Sequence, residues 1–244
     1  MDEDRSCALG RIEQMIRYIV WSSGSRGIVV GLSGGVDSSV AAAMCCRAVS
    51  SGNVLGLTLP TSVTPEEDIR DAQALSSMLG IRHEIVDIEP ILDAYRSLPG
   101  FTASTFLIGN IMARTRMTLL YYYANRENRL VCGTSNRTEY LLGYTTKFGD
   151  NAADFQPILH LYKSDVYEAA RDLGIPEPII AKAPSAGLWQ GQKDEEELGI
   201  SYREIDAALR SLEGNGWQAG TPAEEKVLSL VKGSEHKRKT QSLL

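Results

Sequence analysis

Gly27-Ile28-Val29-Val30-Gly31-Leu32-Ser33-Gly34-Gly35-Val36-Asp37-Ser38-Ser39 is the stretch on which the fold turns. Gly27–Leu32 is apolar and of strand length, and an alanine-rich helix is expected from Val40, so the residues between form a strand-to-helix turn. Two adjacent glycines let the backbone bend sharply and approach a ligand, and the helix that follows offers unpaired N–H groups and the positive end of its dipole. Ser33, Ser38 and Ser39 add hydroxyl donors. A lone carboxylate, Asp37, would repel phosphate here, so its natural role is to hold a Mg²⁺ that bridges to phosphate oxygens. The loop therefore reads as a Mg²⁺-triphosphate site.

Two other loops share parts of this pattern. A Walker A loop needs a lysine after its glycines, and none follows Gly35, which leaves P-loop kinase or GTPase chemistry unsupported. Gly31-Leu32-Ser33-Gly34-Gly35 also satisfies G-x-S-x-G, the nucleophile elbow of α/β-hydrolases, with His83, His160 and His236 available as bases. That alternative lacks an H-G-G-G-type oxyanion segment. A glycine-serine turn with no ligand at all would leave Asp37 and the serines unexplained.

The 244 residues suffice for one large α/β domain, expected to span residues 1–244. A net charge of −6 and the lack of an aromatic-rich basic stripe argue against nucleic acid or an anionic membrane as the partner. The chain has no run of 18 apolar residues and begins with Met1-Asp2-Glu3-Asp4, so a cytoplasmic protein is expected. Cys7, Cys45, Cys46 and Cys132 have no zinc-ligand spacing and form no C-x-x-C, so they read as buried free thiols.

Strands are expected at Gly27–Leu32, Asn53–Thr58, Arg82–Asp87 and Arg129–Cys132, with helices between, the first over about Cys7 to Trp21. This alternation predicts a doubly wound, mainly parallel sheet with helices on both faces, whose ligands bind beyond the carboxyl ends of the strands. Capping boxes are expected at Thr64-Pro65-Glu66-Glu67, Ser201-Tyr202-Arg203-Glu204 and Thr221-Pro222-Ala223-Glu224. A strong helix covers Asn110 to Asn125, and Tyr121-Tyr122-Tyr123 within it reads as packing or subunit contact. Leu98–Thr105 and Pro184–Asp194 lack a period and read as loops, the usual candidates for lids.

Gly133-Thr134-Ser135-Asn136-Arg137-Thr138-Glu139 follows a strand and brings a second carboxylate to the same end of the sheet. Asp37 and Glu139 together suit Mg²⁺, completed by phosphate oxygens and water. The polar loop Tyr144–Asp154 then places Lys147, Asp150 and Asp154 between aromatics.

With these segments in place the chain resembles the ammonia-dependent NAD synthetases of the N-type ATP pyrophosphatase superfamily, along nearly all its length. Ser33-Gly34-Gly35-Val36-Asp37-Ser38 is similar to the superfamily's pyrophosphate loop. Ala113-Arg114-Thr115-Arg116-Met117, Gly133–Glu139, Thr146–Asp150, Pro184–Leu188 with Asp194-Glu195, and His236-Lys237-Arg238 resemble segments of NAD synthetases in the same order.

The resemblance implies an adenine nucleotide alpha hydrolase-like fold in a homodimer, with the dinucleotide bound near the subunit interface. It implies that Gly31, Leu32, Ser33, Gly34, Gly35, Val36, Asp37 and Ser38 cradle ATP, joined by Thr134, Lys163 and Ser185, with Asp37 and Glu139 on Mg²⁺. Arg114, Lys147, Asp154, His236 and Lys237 are similar to contacts to deamido-NAD, and Asp150 to a carboxylate near the ammonia site. The implied catalytic set is Asp37, Asp150 and Lys163.

The implied reaction has the nicotinate carboxylate attack the ATP α-phosphorus, giving an acyl-adenylate and pyrophosphate, after which ammonia displaces AMP. The runner-up within the superfamily is the ATP pyrophosphatase of a GMP synthetase, and in another class an α/β-hydrolase using Ser33. Ammonia rather than glutamine is the expected nitrogen donor, because Cys45, Cys46 and Cys132 lie in apolar elements that disfavour thiolates and no glutaminase domain is read.

Overall fold

Residues 3–239 are described by the computed structural model. The four expected strands form as β1 (Ile28–Gly31), β2 (Val54–Thr58), β3 (Arg82–Ile85) and β4 (Leu130–Cys132), each inside the stretch read for it. Helices α1 (Glu3–Ser23), α2 (Val36–Val49), α3 (Glu66–Leu79), α4 (Glu89–Arg96), α5 (Thr105–Glu127) and α6 (Arg137–Leu142) intervene or follow. The rest of the described chain carries α7 (Lys163–Asp172), α8 (Glu177–Ile180), α9 (Asp194–Leu198), α10 (Tyr202–Gly214), α11 (Pro222–Gly233) and α12 (Glu235–Arg238).

Strand residues alternate between two apolar cores, as the pleat requires. Ile28, Val30, Val54 and Cys132 face α1, α2, α3, α7 and α8, whereas Val29, Leu55, Leu57 and Val131 face α4 and α5. Helices therefore cover both faces. Alanines 41–43, all buried, let α2 lie close to the sheet. A third core joins Leu142 of α6 and Tyr162 to α10 and α11.

Strand order is β3-β2-β1-β4 with every pairing parallel. The chain thus runs outward from β1 through β2 to β3, then returns to the other flank of β1 as β4. Direction of winding reverses between β1 and β4, and a crevice opens there at the strands' carboxyl ends. The loops after Gly31 and Cys132 form its two lips.

Local details correct three sequence expectations. Thr64 does not cap α3; its hydroxyl accepts the Thr61 N–H at 3.0 Å, and Pro65 occupies the N-cap with no side-chain bond. The long helix begins five residues earlier than expected, at Thr105. Because α1 starts at Glu3, Cys7 falls inside it and is exposed, whereas Cys45 and Cys132 are buried with their sulfurs 3.6 Å apart. The capping boxes at Ser201 and Thr221 are present.

Leu55 is fully buried in the central sheet, so Leu55→Ala should destabilise the fold by about 2–5 kcal/mol. Denaturant unfolding followed by circular dichroism reads this; a loss under about 1 kcal/mol would contradict a tightly packed second face.

Candidate active site

A cleft of about 400 Å³ opens at the switch point. Its floor is the loop after β1. Gly34 holds φ +79, and a Cβ there would lie 2.4 Å from the Asp68 carbonyl oxygen, so this glycine is required by close packing on α3. Gly35, at φ −97, is extended and forms the N-cap of α2. With no side-chain cap there, the first N–H groups of α2 are left for a ligand, as expected of an anion site.

The serines divide their work. Ser38 and Ser39 donate to the Gly35 carbonyl at 3.0 and 2.8 Å, and Ser33 Oγ accepts the Gly35 N–H at 3.3 Å. Ser39 is fully buried, so it braces the loop and is not the ligand donor expected of it. Ser33 Oγ lies 3.1 Å from Ser38 Oγ, and among the described residues no histidine bonds to it. His83 instead meets the Thr58 hydroxyl at 2.8 Å. A nucleophile elbow without a base has no route to hydrolysis.

Glu139 does not sit in an open strand-end loop. It occupies the first turn of α6, where Asn136 and Glu139 form a reciprocal capping box. The Asn136 side chain also donates Nδ2 to Asp37 Oδ1 at 2.8 Å, tying the two lips together. Lys163, the first residue of α7, reaches into the same spot: its Nζ lies 2.6 Å from Asp37 Oδ2 and 3.5 Å from Glu139 Oε1. The ring of Tyr202 stands 5.1 Å from that ammonium.

A buried network places these groups. Thr138 donates to Asp206 Oδ1 at 2.6 Å and accepts the Lys163 N–H at 3.0 Å, while the Ser164 N–H donates to Asp206 Oδ2 at 2.8 Å. One carboxylate from α10 thereby fixes the start of both α6 and α7.

Burial disfavours the Lys163 charge, but Asp37 and Glu139 outweigh it and hold the ammonium above the usual lysine range. Glu139 is also raised, which here disfavours its charged form: burial first, then the Asp37 charge, push its carboxyl up to about 8 against the pull of Lys163. Two carboxylates here share one cation, and the pair is short of positive charge. Hard oxygen donors with unmet charge fit Mg²⁺. Among the described residues no group of three or more candidate ligands gathers, so the remaining positions would fall to phosphate and water.

Gly31, Leu32, Ser33, Gly35, Val36 and Ser38 line the cleft, as do Thr134, Lys163 and Ser185 from later in the chain. The loop carrying Ser185 is held by Asp194, which accepts the Ala186 N–H at 3.0 Å and the hydroxyls of Tyr144 and Tyr202 at 3.1 and 3.0 Å. Asp150 opens onto the cleft with its carboxyl raised by crowding protein atoms, and it accepts the Thr146 N–H at 2.8 Å.

Of the five residues read as dinucleotide contacts, only Lys237 lines this cleft, donating to the Gly143 and Thr145 carbonyls, both at 2.8 Å. Arg114, Lys147 and His236 gather outside it. Arg114 Nη2 donates to the Lys147 carbonyl at 3.2 Å, and Lys147 Nζ to that of His236 at 2.7 Å. Asp154 is occupied in the fold, accepting the Val131 N–H at 2.7 Å.

Sequence reasoning gave no role to four residues that shape the cleft: Asp68, Arg116, Asn136 and Lys182. Lys182 Nζ bonds Asp68 at 2.7 Å, pairs with Asp71, and lies 3.4 Å from the Gly34 carbonyl, locking the loop to α3. Asn136-x-x-Glu139 carried a legible signal, the spacing of a capping box.

Fold and cleft define a nucleotide-binding α/β protein of the adenine nucleotide alpha hydrolase-like class, with its ligand site at the switch point. Residues 8–241 match the family described as NAD synthase. The chain is 61% identical over 238 residues to an NH(3)-dependent NAD(+) synthetase of Methanoregula boonei, covering 98% of this chain and 96% of that one. Among solved structures it superposes on the NMN synthetase from Francisella tularensis with a TM-score of 0.91 at 39% identity, covering 100% and 99% of the two chains. The NH3-dependent NAD synthetase from Campylobacter jejuni gives 0.85 at 35% identity with 100% of each covered. The chain belongs to the NAD synthase family.

Asp206 is buried, and removing it strands two donors, so Asp206→Ala should destabilise the fold by about 1–3 kcal/mol. Activity should fall as well, through displacement of Lys163. Thermal unfolding and a rate assay on the same sample check this, and an unchanged melting temperature would contradict the strut.

Proposed function

We propose that the chain catalyses ATP-dependent amidation of deamido-NAD with ammonia, through an acyl-adenylate, releasing AMP and pyrophosphate. The observation that carries this reading is the convergence of Asp37, Glu139 and Lys163 beside the uncapped helix terminus, in a chain of this family.

The nicotinate carboxylate is a poor electrophile because oxide is a poor leaving group, so activation must precede attack by ammonia. The N–H groups at the start of α2 hold the triphosphate and take up charge as pyrophosphate departs. Asp37 and Glu139 would hold Mg²⁺, which when bound supplies positive charge to the polyphosphate. Lys163 keeps the two carboxylates aimed at one point. Asp150, its carboxyl raised by its surroundings, is suited to take a proton from ammonium.

Arg114, Lys147 and His236 meet the distal half of the dinucleotide on the outer face, and a second copy of the chain covers that half. Exposed Tyr122 on α5 supports such a homodimer. Residues 1–244 act as one synthetase unit that uses free ammonia. A cytoplasmic location is proposed with it; no described helix is long and apolar enough to cross a membrane.

The test is product analysis with ATP, Mg²⁺ and deamido-NAD, or nicotinate mononucleotide in parallel, given either ammonium or ammonium-free glutamine. NAD, AMP and pyrophosphate should appear with ammonium and deamido-NAD. Robust turnover with glutamine alone, or with the mononucleotide in preference, would overturn the corresponding part.

Asp37→Asn and Glu139→Gln should each slow adenylation by roughly 10²–10³. Near-normal pyrophosphate release by either at saturating Mg²⁺ would refute the shared-metal assignment. Lys237→Ala should weaken deamido-NAD binding by roughly 1.5–3 kcal/mol and leave ATP affinity nearly unchanged, as titration with each ligand will read.

A further inference from the structure

Among the described residues, four cationic side chains line the cleft: Arg116, Lys163, Lys182 and Lys237. Lys163 is shared by Asp37 and Glu139, and Lys182 by Asp68 and Asp71. Lys237 is directed at two carbonyls. Arg116 is different. Its Nε donates to the Leu59 carbonyl at 3.1 Å, and that bond alone anchors it.

The terminal nitrogens of Arg116 have no partner among the described residues, and Asp150, the one carboxylate whose charge acts on it, forms no ion pair with it. Burial lowers its pKa to about 10, which leaves it charged at neutral pH. A guanidinium whose outer edge is unpaired inside a cleft is matched by a planar or tetrahedral oxyanion that takes two parallel hydrogen bonds.

Helix geometry shows why this residue and not its neighbour is the inward one. Ala113, Arg116, Met117 and Leu120 line the cleft, a spacing that marks one face of α5. Arg114 lies two positions away, about 200° round the helix, and is exposed. The two arginines of one short motif therefore serve opposite sides of the same helix.

We propose that Arg116 is a catalytic residue of adenylation, its fork binding an oxyanion of the reacting pair, either the nicotinate carboxylate or the ATP α-phosphate. Both reactants are anionic and repel each other, and an unpaired cation between them lowers that barrier. As the carboxylate oxygen bonds to the α-phosphorus, the bond from phosphorus to the pyrophosphate oxygen breaks and pyrophosphate leaves with the electron pair. Arg116 keeps its protons throughout. The proposal rests on the synthetase reading above.

Deamido-NAD-dependent exchange of labelled pyrophosphate into ATP reads adenylation alone. Arg116→Ala should lower the exchange rate by roughly 10²–10³, and added guanidinium or methylguanidine should restore about tenfold or more. Arg116→Lys keeps the charge and the fold but not the fork, and should still lose about tenfold at an unchanged melting temperature. Weakening confined to deamido-NAD assigns the carboxylate, and weakening confined to ATP assigns the α-phosphate. Exchange within about threefold of wild type in both variants, or a loss that guanidinium leaves unrepaired in folded Arg116→Ala, would overturn the proposal. Failure of the wild-type chain itself to exchange would instead refute the synthetase reading.

Discussion

The buried ammonium of Lys163 lies between Asp37 and Glu139, and most of the site's geometry can be traced to that contact. An ammonium with so little access to water is unstable unless anions and dipoles replace its hydration shell. Two carboxylates do so here, one from each lip of the switch point. Because the lips belong to strands on the same sheet, the rigidity of β1 and β4 is transmitted to the spacing of the carboxylates. Removing the cation would leave like charges adjacent with nothing between them. Removing either acid would leave a buried cation underpaired, so the triad is sensitive at each of its three positions.

Apolar packing alone could not have set this geometry. The two cores fix where the strands end, but they leave the loops beyond them free to adopt many shapes. Polar struts remove that freedom. Asn136 joins one lip to the other, Asp206 joins α10 to the starts of α6 and α7, and Lys182 ties the floor to α3. Asp194 does the same for the loop bearing Ser185. Each strut is a charged or amide group with at least two partners, the arrangement in which buried polar groups add rigidity instead of instability. Buried Gln192 adds a second anchor to that loop, accepting the Leu188 N–H at 2.9 Å and donating to Tyr144 and Glu197 at 3.3 and 3.1 Å.

The strands and both lips were legible because apolar runs and glycine-serine turns report local backbone directly. Asp37 and Glu139 were legible as a pair for the same reason: each follows a strand, and parallel strands end on one side. What escaped the sequence depended on tertiary competition. Thr64 has the pattern of a cap, yet its hydroxyl is taken by the Thr61 N–H three residues back. Ser39 looks like a phosphate donor until α2 winds and turns it inward. Arg114 and Arg116 stand in one motif, and only the rotation of α5 relative to the sheet decides which enters the cleft. Lys182 pairs with residues more than a hundred positions earlier, a contact no local pattern encodes.

Charge around the cleft explains why the site needs a cation beyond its own. Asp37, Asp68, Glu139, Asp150, Asp194 and Glu197 line it, against Arg116, Lys163, Lys182 and Lys237. Fully ionised, such a wall is acidic, and an acidic wall repels a nucleoside triphosphate and a second anionic substrate alike. Three features offset that repulsion. The dipole and N–H groups of α2 act without adding net charge, Arg116 supplies an unshared cation, and in the proposed reaction Asp37 and Glu139 would hold a divalent cation. Burial and the Asp37 charge push the Glu139 carboxyl up to about 8, and positive charge brought beside it would favour its ionised form. In the proposed reaction a divalent cation would offset the surplus of carboxylates at the cleft and the charge of the anionic substrates together.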